Sequence, residues 1–437
     1  MNSLLKRLVD VEPEERFALG LAFAYFFFLL SGYYILRPIR DEMGVAGGVD
    51  NIPWLYTATL VTTLIVSPIF STIVAKLPVR RFVPLCYRFF VANLLVFFLV
   101  LRGFPQYNIW IGRAFFVWTS VFNLFVVSVF WAFMSDRFRL EQGKRLFGAI
   151  GVGGTLGALV GGTITAMLVG RIGSTSLLLI SAVLLEVSVQ CVLRFPPSFR
   201  TLEDKEMGDD QEIIGGSAFA GVSHVLRSPY LLAICLYLLI FTIGNTSLYS
   251  YQAQIAGQHF TDRTARTQFY AHMDMIVNGL TIVTQTFFTG RVVKRIGVGA
   301  TLALVPIVSI AGFAALGANP VLGVLIVFYV LRRSTHFALA NPTREVLFTV
   351  VPREDKYKAK NFIDTFVYRG GDQIAAWSFR LMTALGLALS TKAYVLVPVC
   401  VAWLFLGLWL GRRQAAIVAE RRVLDAPAGT TPLPATS

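Results

Sequence analysis

Six arginines lie inside long apolar stretches of this chain: Arg88, Arg113, Arg332, Arg333, Arg369 and Arg380. A guanidinium keeps its charge and offers a planar fork that fits phosphate or carboxylate. Charge held in hydrocarbon is costly, so such residues mark a ligand path, an ion pair, or a side chain reaching for the membrane surface. The interval from Asn341 to Gln373 concentrates this chemistry. Arg344 stands at its front, Arg353 to Lys360 form a basic loop, and Asp364, Arg369 and Asp372 follow among apolar residues. A second dense interval, Tyr33 to Glu42, carries Arg37, Pro38, Arg40 and Asp41 at the end of an apolar run. It reads equally as a charged helix end and as a site. Asp274, Asn278 and Gln285 share one helical face. A buried carboxylate either carries protons or pairs with an arginine, which makes Asp274, Asp364 and Asp372 candidate coupling or ion-pair residues. Glu186, one turn from Gln190, reads more simply as structural, as does Arg88.

These residues need elements that hold them at membrane depth. The chain has 437 residues, 55% hydrophobic and 15% charged, with mean hydropathy +0.65 and net charge +14. That composition excludes an ordinary soluble enzyme. Runs of about 20 apolar residues cross a bilayer, and twelve are read here: 16–38, 52–74, 82–101, 109–133, 146–169, 174–193, 229–251, 267–289, 298–317, 319–340, 361–387 and 391–411. The expected class is an all-α membrane protein with twelve transmembrane helices. A six-helix half at 1–193 is followed by a central loop at 194–228, a second half at 229–411 and a disordered tail at 412–437. Of the 39 Lys and Arg residues, 26 fall at the termini and in the even-numbered loops, seven in the odd-numbered loops. Basic residues stay on the cytoplasmic side, so both termini are expected there. The positive charge is topology and calls for no nucleic acid. The opening MNSLLKRLVDVEPEER has no signal-peptide core, so the mature chain is expected to start there.

A weak repeat supports two halves. Lys76 and Arg80 correspond to Arg291 and Arg295 at an offset of 215, and Arg137, Lys144 and Gly154 to Arg353, Lys360 and Gly370 at 216. Parallel six-helix halves with a long central loop are the major facilitator architecture, with substrate between the halves near the midplane. There the first, fourth, seventh and tenth spans face the cavity, flanked by the second, fifth, eighth and eleventh. That places Arg113, Arg332, Arg333, Arg369 and Arg380 on candidate cavity helices. Gly153, Gly157 and Gly161 on the fifth span make two GxxxG steps, which suit close helix packing. The run misses the dinucleotide-binding spacing, and no GxxxxGK[ST] occurs, so ATP hydrolysis by this chain is not expected. Cys86, Cys191, Cys235 and Cys400 lie in apolar runs without CxxC spacing, and His272 and His336 stand alone. No metal, cofactor or disulfide framework is indicated.

Two stretches resemble the ATP/ADP translocase family of plastids and intracellular bacteria. YYILRPIRDEM at 33–43 is similar to that family's I-L-R-D-T-K-D at the end of the first helix. NPTREVLF at 341–348, followed by KYKAKNFIDTFVYRGGD, is similar to its P-T-K-E-M-x-Y and K-x-K-x-K-x-x-I-D-x-x-x-x-R-x-G. The resemblance implies a monomeric antiporter in a bacterial inner membrane that exchanges nucleotides for one another and is not an enzyme. Arg40 and Arg344 would stand where the family's lysines hold phosphates. The chain departs from the pattern at Arg37-Pro38, in place of Arg-Asp, and at Thr119, where the family has a glutamate. The candidate substrate residues are therefore Arg40, Arg344, Arg333, Arg369, Arg332 and Arg113. Two other classes compete: a proton-coupled carrier of a smaller organic anion or drug, and a non-transporting membrane sensor, scaffold or lipid-handling protein.

Overall fold

The structure, a computed structural model, describes residues 11–76, 79–196, 228–351 and 363–424. The basic loop Arg353 to Lys360, most of the 194–228 segment and the end of the tail lie outside the described residues, as does the side chain of Asp364. Everything described is helix or short connection. The principal helices are α1 (Arg16–Ala46), α2 (Ile52–Lys76), α3 (Val79–Gly103), α4 (Asn108–Arg137), α5 (Leu140–Leu193), α6 (Pro229–His259), α7 (Arg263–Phe287), α8 (Thr289–Ala318), α9 (Leu322–Thr335), α10 (Tyr368–Ala384) and α11 (Leu389–Leu424). After α9 the chain continues through a π-helical turn, His336–Ala340, into the short helix Asn341–Leu347. A second π turn, Ile363–Val367, leads into α10. Among the described residues, nine helices are long and apolar enough to cross a membrane. Only helices of this kind satisfy their own backbone polar groups without water.

Local chemistry sets the boundaries. Ser228 accepts from the Leu231 amide at the start of α6, and Asp262 accepts from the Ala265 amide at the start of α7. The 54 residues of α5 are two arms, because Gly173 leaves the helix with φ 77° and ψ 159°. That conformation is open to glycine at little cost.

The glycines read as a packing face do pack. A Cβ at Gly153, Gly157 or Gly161 would overlap the carbonyl oxygen of Phe23, Phe27 or Ser31. α1 therefore lies directly against the first arm of α5, which leaves its opposite faces for other partners. One apolar cluster is built entirely from α1 to α5 and their connections, centred on Tyr25, Phe122 and Phe130. Two others draw mainly on α6 to α11. Many large apolar side chains point outward, Phe89, Leu99, Trp110 and Phe405 among them, as a lipid-facing surface requires.

Candidate functional site

The end of α1 meets α6, α7 and α9 through charge. Arg37 donates to Asp274 of α7 at 2.7 Å, with both side chains almost fully buried. Its second nitrogen reaches the Tyr329 hydroxyl of α9 at 3.4 Å, and the same oxygen accepts from Arg333 at 2.8 Å. A chain of contacts thus runs Asp274–Arg37–Tyr329–Arg333 across three helices. The depths agree. Arg37 is nine residues from the end of α1, and Asp274 and Arg333 are each eleven from the starts of α7 and α9, roughly 14–16 Å from one end of the bundle at 1.5 Å per residue.

Closer to that end, Glu42 receives Arg263 at 2.9 and 3.1 Å and Arg266 at 3.2 Å. Arg40 folds onto its neighbour Asp41 at 2.6 Å, over the ring of Phe116, and Asp41 also accepts from Tyr249 of α6 at 3.3 Å. α2 meets α10 through the Thr57–Gln373 hydrogen bond at 2.9 Å, the Trp377 indole donating to Thr57 at 3.2 Å, and the Trp54 and Trp377 rings. Arg380 donates to the Asp50 carbonyl at 3.3 Å. Arg369 sits 3.6 Å from Asp372, which accepts from Thr246 at 2.5 Å.

The structure separates the candidate arginines. Arg333 stays half-buried between Tyr329 and Phe337, and its Nε makes no hydrogen bond. Arg332, the adjacent residue, is sealed away from this network. It donates to Ser309 at 3.0 Å, Asn245 at 3.3 Å and the Phe241 carbonyl at 3.1 Å, with Phe241 and Trp403 rings beside it. Arg344 donates to the Tyr368 hydroxyl and to Glu345 at 2.9 Å, on the far side of the π turn. Arg113 turns outward, donates to the Gly47 carbonyl at 3.0 Å and lies over the Trp110 ring. Glu186 pairs with Arg88 at 3.0 Å and with Gln190 at 2.7 Å on the lipid-facing side of the bundle. Thr119 is fully buried and donates to the Phe115 carbonyl of its own helix, so no charge stands at that position.

Arg37 and Tyr329 were not among the residues singled out for substrate. The signal was available for Arg37: an intramembrane arginine and an intramembrane aspartate, each needing a partner. Tyr329 carried none, since a tyrosine in an apolar run looks like any other aromatic.

Comparisons with known proteins bear on the family and the fold. A model of the Major Facilitator Superfamily matches residues 16–357. The ADP,ATP carrier protein 1 of Chlamydia trachomatis serovar D is 23% identical over 340 residues, covering 68% of this chain and 64% of the carrier. The chain thus spans just under two thirds of that relative. The protein of the same name from Chlamydia muridarum is 23% identical over 425 residues, covering 80% of this chain and 78% of its own length. A mutant of the nucleoside transporter NupG superposes with a TM-score of 0.65 at 13% identity, over 90% of this chain and 99% of the other. A POT family transporter in complex with a thioalcohol-conjugated peptide gives 0.60 at 13% identity, over 91% and 96%. At such identities the structural likeness speaks for the fold.

Proposed function

The chain belongs to the Major Facilitator Superfamily, and from that premise we propose that it is an alternating-access carrier exchanging nucleotide-type anions across an inner membrane. The nine apolar helices, the break at Gly173 and the more polar α7 and α10 support a reading of twelve crossings in two six-helix halves around 194–228. The observation that carries the reading is Arg333. Asp274, which connects to it through Arg37 and Tyr329, is already paired with Arg37, and Asp41 and Asp372 have Arg40 and Arg369. Among the described residues Arg333 bonds the Tyr329 hydroxyl and keeps its Nε unbonded, which leaves a half-buried positive charge for a ligand.

A phosphate settling on Arg333 competes with Asp274 for Arg37, which shares the Tyr329 hydroxyl with Arg333. The Arg37–Asp274 and Glu42–Arg263 pairs tie α1 to α7, so loosening them frees one end of the bundle to open. By the distribution of basic residues that closed end faces outward. An empty carrier re-forms its own pairs and stays shut, so return requires a counter-substrate. This is the physical basis for exchange. The chlamydial relatives bear names that fit such a substrate, and by the motif resemblance Arg40 and Arg344 would keep positive charge where that family has lysines. Binding of ATP and ADP by purified protein, and uptake into proteoliposomes with and without internal nucleotide, test this. Losing one desolvated charge partner costs about 2–5 kcal/mol, so Arg333→Ala should weaken nucleotide binding tens- to thousands-fold. Unchanged affinity in both Arg333→Ala and Arg40→Ala would overturn the site.

One observation favours proton coupling to an organic anion instead. The second oxygen of Asp274 is buried without a hydrogen bond, as a proton carrier would be. Uptake that collapses with the proton gradient despite internal nucleotide, and that Asp274→Asn makes indifferent to an uncoupler, would favour that reading.

A further inference from the structure

A large cavity lies outside this site. It is a lateral groove of about 1310 Å³ between α2 and α3, backed by α4 and open toward the membrane. Small-ligand pockets run to roughly 300–1,000 Å³, so the groove suits a longer molecule. Its wall is aromatic and aliphatic, with Phe89, Phe97 and Trp118 on one side and Ile69 on the other. Among the described residues, Arg113 is the single charged side chain on that wall. Its guanidinium carbon sits 4.6 Å over the Trp110 ring, and its Nε is buried without a partner.

Arg113 is five residues into α4, about 8 Å along the helix axis. Trp54, Trp110, Tyr107 and Phe104 are strongly exposed at the same end. Tryptophan and tyrosine in such a belt mark the headgroup level of a bilayer. The groove therefore offers acyl-chain surface at membrane depth and one cation at headgroup depth, continuous with the lipid-facing exterior. We propose that it binds one anionic glycerophospholipid, with acyl chains along the aromatic wall between α2 and α3 and the phosphate on Arg113. This assigns Arg113 to lipid and removes it from the substrate site.

Native mass spectrometry of the full chain, titrated in detergent with phosphatidylglycerol or phosphatidylcholine, tests the assignment. Wild type should hold one phosphatidylglycerol in preference to phosphatidylcholine. Arg113→Gln should weaken that retention roughly tenfold, the size of one lost charge-assisted hydrogen bond. Ala114→Trp and Ala58→Trp fill the groove from α4 and α2 and should abolish it, with thermal unfolding confirming that at least one is folded. Arg102→Gln removes a charge from the same end of α3 outside the groove and should retain lipid as wild type does. Equal retention by all of these proteins would mean ordinary surrounding lipid and overturn the site. Phosphatidylcholine held as tightly as phosphatidylglycerol would overturn the anionic headgroup.

Discussion

Arg332 and Arg333 are adjacent on one helix at one membrane depth, yet their surroundings have little in common. About 100° of helical rotation separates them. Arg332 turns into the packing of α6, α8 and α11, where neutral oxygens from Ser309, Asn245 and Phe241 take its donors. Arg333 turns toward Tyr329 and the Arg37–Asp274 pair and keeps a donor unspent. Charge at membrane depth is therefore not a single signal. An arginine with every nitrogen hydrogen-bonded holds helices together, and one with a nitrogen left over can hold a ligand.

The largest effect expected from this contrast is on folding. Arg332→Ala strands several polar groups in a dry setting, each at about 1–3 kcal/mol, so folded protein should fall sharply in size-exclusion and thermal-unfolding assays. A normally folded Arg332→Ala that loses nucleotide binding would break the contrast and give both arginines one role. Next comes the pair that joins α1 to α7. Arg37→Ala or Asp274→Ala alone leaves a buried charge, at about 3–5 kcal/mol. The double variant should be less damaged than the sum of the two, a coupling that a double-mutant cycle on thermal stability reads directly. Additive effects would mean the pair does not form.

Arg333→Ala should lower nucleotide affinity while leaving the unfolding temperature near wild type, the reverse of Arg332→Ala. Tyr329→Phe sharpens the same point with a smaller change. It deletes the oxygen shared by Arg37 and Arg333, worth about 0.5–1.5 kcal/mol, and should lower affinity a few-fold with little effect on folding. At the bottom of the scale, Arg88→Gln breaks the lipid-facing pair with Glu186, whose partners are 52% and 37% exposed. No measurable change in either assay is expected.

Much of the architecture was legible in the linear chain, because apolar length and the placement of basic residues are properties of sequence alone. The membrane-crossing character of the helices, the glycine face that seats α1 on α5, and the interest of Arg333, Arg369 and Asp274 follow from residue type and spacing, whereas Arg40 was singled out by the motif resemblance. Pairing is what the sequence left open. Asp274 called for an arginine, but Arg37 lies 237 residues away from it, and only the packing of α1 against α7 selects it from several candidates. Rotation was open as well. Whether Arg113 faces a central path or the lateral groove depends on how α4 is turned against α2 and α3, which the composition of α4 does not decide, since apolar residues surround it on every face. In water an amphipathic stripe reveals which side of a helix is buried. In a membrane both the lipid and the core are apolar, so tertiary contacts alone decide what each charged side chain meets.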